Sequence, residues 1–175
     1  MCYETLSLMN PLRFFSTNSR IEWGMPQEHL VLFSSEHNCT ISSEAPGMKE
    51  VCRYEMKFQG GTIYVNPLFS EKGLIHFKAN FDQENNLLFY QNIVGHINNA
   101  FAQPVYQRPE IFAGDRLTQY PCAIWLFDSC ILEAGVHSER WVDVGYLCLT
   151  HNESFRSYYT VDYLATIGWR ILEQK

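Results

Sequence analysis

The sequence predicts an α+β fold: a curved, mostly antiparallel sheet with two helices packed against it, in a single domain of residues 1–175. Three observations carry this. Short runs rich in β-branched and aromatic residues, separated by turn residues, fill the first half of the chain. Two long apolar runs, 122–133 and 140–150, meet across Ala134-Gly135. Apolar residues recur at helical spacing at about 85–102 and again at about 160–173.

The elements follow in order. Strands are expected over 30–34, 39–43 and 50–58, the last turning through Gln59-Gly60-Gly61 into a strand at 62–65 as a hairpin, and 74–79 continues the sheet. Asp82 is placed to cap the first helix, in which Phe89, Ile93, Ile97 and Phe101 recur every fourth residue. Pro104, Pro109 and Gly114 then interrupt regular structure. The two apolar runs come next, as antiparallel neighbours turning at Ala134-Gly135. A last helix carries Val161, Leu164, Gly168, Ile171 and Leu172 on one side, with Ser157 or Thr160 as its cap. No repeat or linker-like segment divides the chain.

Composition narrows the function classes. With 175 residues, 46% of them hydrophobic, the chain can hide roughly 70% of its unfolded surface and needs neither disulfides nor metal to hold a core. A net charge of −6 argues against nucleic acid as a direct ligand, because phosphates are met by clustered cations. Nowhere do eighteen apolar residues follow one another, and the start has no basic run before an apolar stretch, so no membrane span or export signal is expected and the location expected is cytoplasmic. The six cysteines have no close pairing of the kind that holds zinc; they read as reduced, mostly buried thiols.

One constellation has geometry behind it. If Glu133 faces Arg140 across the hairpin, an opposite-charge pair worth about 0.2–1 kcal/mol, then Cys130 lies opposite Asp143, and Asp128 and Asp143 become diagonal neighbours on one apolar face. Two such carboxylates cannot both stay ionised without a partner, which makes them candidates for acid/base catalysis; the plainer alternative is that Arg116, Arg156 or Arg170 neutralises them. Weaker signals are His137-Ser-Glu139 and His151-Asn-Glu153, which stand too far apart in an extended run to share a metal, and His37-Asn-Cys39. His96 is expected as a hydrogen-bonded core histidine. Phosphate-binding glycine loops, nucleophile elbows and His-Glu-x-x-His are absent from the sequence.

The expectation from these features is a non-enzymatic, acidic protein-binding module, most concretely an inhibitor or immunity-type protein neutralising a more basic partner such as a toxin, with no cofactor and no metal. The stretch from Tyr120 to Phe155 holds five acids against Arg140 alone. Exposed members of Asp128, Glu133, Glu139, Asp143 and Glu153 would steer the partner, with Trp141 or Tyr158 as the anchor. The alternative is a small hydrolase or glycosidase using Asp128 and Asp143. A third reading is a small-molecule carrier with an aromatic-lined cavity in the sheet.

Overall fold

The computed structural model describes residues 11–15, 21–26, 28–29, 49–50, 54–58, 61–81, 85–101, 103–127, 129–139 and 142–151. These form two helices, α1 (Leu12–Phe15) and α2 (Asn86–Ala100), and ten strands. The strands are β1 (Lys49–Glu50), β2 (Tyr54–Phe58), β3 (Gly61–Ser70), β4 (Gly73–Phe81), β5 (Tyr106–Arg108), β6 (Ile111–Ala113), β7 (Arg116–Gln119), β8 (Cys122–Leu126), β9 (Cys130–Glu139) and β10 (Val142–His151). Eight of them make one sheet in the order β1-β3-β4-β10-β9-β8-β5, with β2 also paired to β3, while β6 and β7 pair separately. All pairings are antiparallel. The α+β class with a mostly antiparallel sheet is therefore observed; the expected strands at 30–34 and 39–43 and the helix at 160–173 lie outside the described residues.

The predicted hairpin is present, with Phe58 opposite Gly61, but its second strand runs on to Ser70. Pro67 sits inside that strand without breaking it. It has no N–H to give to a ladder, and it falls between the part of β3 paired with β2 and the part paired with β1. Glu71-Lys72 then turn the chain into β4, where Gly73 takes φ 93° and lies so close to Gly24 that a Cβ would stand 2.2 Å from the Gly24 carbonyl oxygen. There the Gly24 N–H donates to the Leu74 carbonyl (3.0 Å), and the Leu74 N–H donates to that of Met25 (2.9 Å), fastening residues 21–26 to the sheet.

Helix α2 begins at Asn86, close to the expected start at about 85, but a different residue caps it. Its cap is Asn85, not Asp82: the Asn85 side-chain oxygen accepts the Leu88 N–H at 2.9 Å. Phe89, Ile93 and Ile97 of the expected stripe are buried against the sheet, together with Tyr90 and Val94, while Phe101 is half-buried. Residues 103–120, expected to be irregular, instead supply β5, β6 and β7, with Gly114 (φ 63°) at the β6–β7 turn.

The largest departure concerns the two apolar runs. Ala134-Gly135 is not a turn but the middle of β9, and residues 122–133 are split by a reversal at 127–129, where the Phe127 N–H donates to the Cys130 carbonyl (2.9 Å). One hairpin thus becomes a three-stranded meander. Glu133 lies opposite Cys148 and Ile124 rather than Arg140. Gly135 serves close packing: a Cβ there would stand 2.5 Å from the Tyr146 hydroxyl.

One face of the sheet is continuous hydrocarbon. Across β8, β9, β10, β4 and β3 it reads Ala123, Ala134, Leu147, Ala79, Val65 in one row and Trp125, Leu132, Leu149, Phe77, Pro67 in the next. These rows share a core with the buried residues of α2, with Leu12 and Phe15 of α1, and with Ile21 and Met25. Each large side chain fully buried there contributes about 1.5–3 kcal/mol. The Trp125 indole donates to Asn98 Oδ1 of α2 at 3.1 Å, so its one polar atom is satisfied.

Candidate functional site

The opposite face of the same five strands is chemically different. Its rows are Cys122, Gly135, Tyr146, Asn80, Tyr64; then Ile124, Glu133, Cys148, Lys78, Asn66; then Leu126, Ile131, Thr150, His76, Leu68. Polar residues dominate, and several are shut away from water: Glu133 is 3% exposed, His76 3% and Thr150 1%. A sheet face buried for stability alone is apolar, because a polar group taken from water must find its partners inside the protein.

Here partners are supplied by neighbouring strands. The Tyr146 hydroxyl lies over Gly135 and donates to Glu133 Oε1 at 2.7 Å, and the Cys122 thiol donates to the same oxygen at 3.6 Å. His76 Nδ1 and Thr150 Oγ1 are 2.8 Å apart. Asn66 Oδ1, in the row of Glu133, is buried without a hydrogen-bond partner among the described residues. The ring of His137 packs beside that of Tyr146 with centroids 5.5 Å apart.

Burial sets the protonation states. The Cys122 thiol is pushed up to about 12, first by loss of solvent and then by the Glu133 carboxylate. Cys148 is raised to about 12 for the same two reasons in the same order. Both are neutral donors near pH 7 rather than thiolate nucleophiles. His76 is lowered to about 3, by burial first and by Lys78 second, and is neutral. Cys122, Cys130 and Cys148 carry no disulfide.

The residues singled out from sequence fare unevenly. Asp128, Trp141, Glu153 and Tyr158 lie outside the described residues, as does the side chain of Glu139, which ends β9. Asp143 is exposed, opposite Ser138 rather than Cys130, and its Oδ1 accepts the Tyr120 hydroxyl at 3.1 Å. Phe127 and Ser129, which bracket Asp128, stand at the Cys130 end of β9. Eight steps of about 3.3 Å separate that end from Ser138, roughly 26 Å. The register that would set Asp143 opposite Cys130 is therefore not the one observed, and Asp128 itself lies outside the described residues. Glu133 is buried and cannot act as a steering charge at a rim. His96, expected in the core, is exposed, with its ring edge-on to Phe58 at 5.0 Å.

His76, Tyr146, Cys148 and Thr150 were missed. The signal for them was period-2 alternation: Thr62, Tyr64 and Asn66 alternate with Ile63, Val65 and Pro67, and His76, Lys78 and Asn80 alternate with Phe77, Ala79 and Phe81. Among the described residues no three His, Cys, Asp or Glu side chains could hold a metal ion, and no helix is long and apolar enough to cross a membrane. No family model, curated protein or solved structure matches the chain.

Proposed function

We propose that the chain is a small-molecule-binding protein, and that the polar face centred on Glu133 is its binding surface. The contrast between the two faces carries this reading: the same five strands present hydrocarbon to α2 and a carboxylate, two neutral thiols, two phenols, two carboxamides, an imidazole, a hydroxyl and a lysine on the other side. Convergent polar groups in a water-poor setting orient a ligand, and Tyr146 and Cys148, both only half-buried, offer the approach to Glu133. The proposal takes the sheet as curved about this face within a single domain of residues 1–175. A protein-free metabolite extract should raise the unfolding temperature and slow thiol labelling of Cys148, read by mass spectrometry, with both effects lost in Glu133→Gln. Labelling unaltered by every fraction of the extract would sink the reading.

A second reading, the acidic cytoplasmic inhibitor or immunity-type module binding a basic partner such as a toxin, is favoured by a separate feature. Leu88, Ile111, Phe112 and Val142 are large and exposed, Phe112 by 50% and Val142 by 56%. Three hydrogen bonds gather them at one end of α2. Gln91, one turn beyond Leu88, donates to Glu110 beside Ile111 (3.0 Å); Asn86 donates to the carbonyl of Asp143 beside Val142; and Tyr120 donates to the Asp143 side chain. Apolar residues edged by carboxylates suit a partner with basic and apolar side chains. Against a basic protein captured from the source cell, charge reversal at Asp143 should slow association, less so at high salt, and Phe112→Ala should speed dissociation. Rates unmoved by both changes remove this surface.

A further inference from the structure

We infer that the chain associates with a second copy of itself, helix α2 packing antiparallel against α2 of the partner subunit along its outer face. Such a pairing is independent of the small-molecule reading, and it shares Leu88 with the patch offered to a basic partner. Helix α2 turns one side to the core and leaves the other exposed: Leu88, Gln91, Asn92, Gly95, His96 and Asn99 all reach solvent. Leu88, Asn92, Gly95 and Asn99 stand four, three and four residues apart, so they form one straight stripe along the helix.

This face has no charge. The chain holds 13 Lys and Arg and 19 Asp and Glu, yet none of them falls in the 15 residues of α2, which has neither an acid in its first turn nor a base in its last. On an ordinary surface helix the solvent side is where charged residues collect. Depletion of charge in an exposed patch marks the centre of a protein interface instead. The net charge selects the occupant. A basic partner would gain from acids on the face, whereas two copies of a chain of net charge −6 repel each other unless the surfaces that meet are bare of charge. Glu110 touches the helix at its flank, where Oε1 accepts the Gln91 amide at 3.0 Å, and in an antiparallel pair the two Glu110 carboxylates stand on opposite sides of the crossing. The same arrangement sets the positive end of each helix dipole beside the negative end of the other.

Gly95 fits the crossing. Its backbone is helical, and nothing stands within 4 Å of the place a Cβ would take. No packing among the described residues therefore calls for glycine, the least favourable helix residue after proline. A bare turn does let another backbone come close. The stripe is its own complement under a two-fold axis: with the axis midway between Asn92 and Gly95, Asn92 of each copy lies over Gly95 of the partner subunit, and Leu88 lies against Asn99 of the partner subunit. The carboxamides of Gln91, Asn92 and Asn99 supply donors and acceptors to the contact without adding charge.

Sedimentation velocity of the full chain from about 1 μM to about 1 mM is the test. The mass should climb from 20.4 kDa towards twice that value. Gly95→Arg sets a cation beside the axis on both copies and should weaken association about tenfold or more. Because the space around Gly95 is empty, this variant folds, and its unfolding temperature in dilute solution should not fall. Asn92→Asp and Asn92→Lys should each weaken association alone and restore it when mixed, since the charges that meet across the axis are then opposite. A mass of 20.4 kDa at every concentration overturns the proposal. So does Gly95→Arg associating as tightly as the native chain, or a mixture of the Asn92 variants associating no better than either alone.

Discussion

Phe77→Ala is expected to lower the free energy of unfolding by about 3–5 kcal/mol, the range for removing a fully enclosed aromatic ring whose surroundings cannot collapse onto the space. Phe77 is wholly buried at the centre of β4, between Pro67 and Leu149 on the flanking strands. Its ring stacks on Phe15 of α1 with centroids 5.0 Å apart and planes 10° from parallel, and Trp23 lies 6.4 Å away. The side chain therefore joins the sheet to the segment that carries α1 and residues 21–26. Removing it takes away transferred hydrocarbon, aromatic contact and the anchor of that segment together. Phe77→Leu keeps most of the volume and should cost less than half as much. Urea unfolding of both variants is the measurement. A loss under about 1 kcal/mol for the alanine variant would mean that the site relaxes freely and is not part of a close-packed core.

How far the sequence reached can be judged at particular residues. Local signals were readable: Gln59-Gly60-Gly61 between two strand-like runs predicted the β2–β3 hairpin, and Phe89, Ile93 and Ile97 predicted the buried stripe of α2. Non-local ones were not. Ala134-Gly135 has the composition of a turn, yet what requires a glycine there is the ring of Tyr146, eleven residues on and in another strand. The attraction expected between Glu133 and Arg140, at most about 1 kcal/mol, was a poor guide to register. Aligning Ala134 with Leu147 and Leu132 with Leu149 places these residues in the core, where each large side chain counts for more than that pair.

The misplaced turn also changed which residues share a face. With 122–133 taken as a single strand, Ile124 and Leu132 fall on one side; the reversal at 127–129 puts Ile124 with Glu133 and Cys148, and Leu132 with Trp125 and Leu149. The expected placing of Asp143 opposite Cys130 depended on the same hairpin, and Asp143 instead stands opposite Ser138. The polar layer, by contrast, was encoded in plain alternation along β3 and β4, but its meaning needed the strand order. Only when β4, β10 and β9 are neighbours do His76, Thr150, Cys148 and Glu133 come together.

His76 gives that layer a signature in acid. Its ring sits 3% exposed with Nδ1 at 2.8 Å from Thr150 Oγ1, and burial, aided by Lys78, lowers its pKa from an ordinary 6.5 to about 3. The unfolded chain takes up a proton on this imidazole below pH 6.5, while the folded chain refuses it down to about 3. The stability associated with His76 is therefore complete above pH 6.5 and drains away as the pH falls through that window, with a loss of roughly 2 kcal/mol by pH 5. Most carboxylates keep their charge over that first interval, so the histidine contribution separates from general acid unfolding. Urea unfolding at a series of pH values should show the native chain losing stability between 6.5 and 5 more steeply than His76→Gln, which has no imidazole to titrate. Equal slopes for the two proteins would mean that the ring accepts its proton in the folded state, and that the polar layer is wetter than its burial implies.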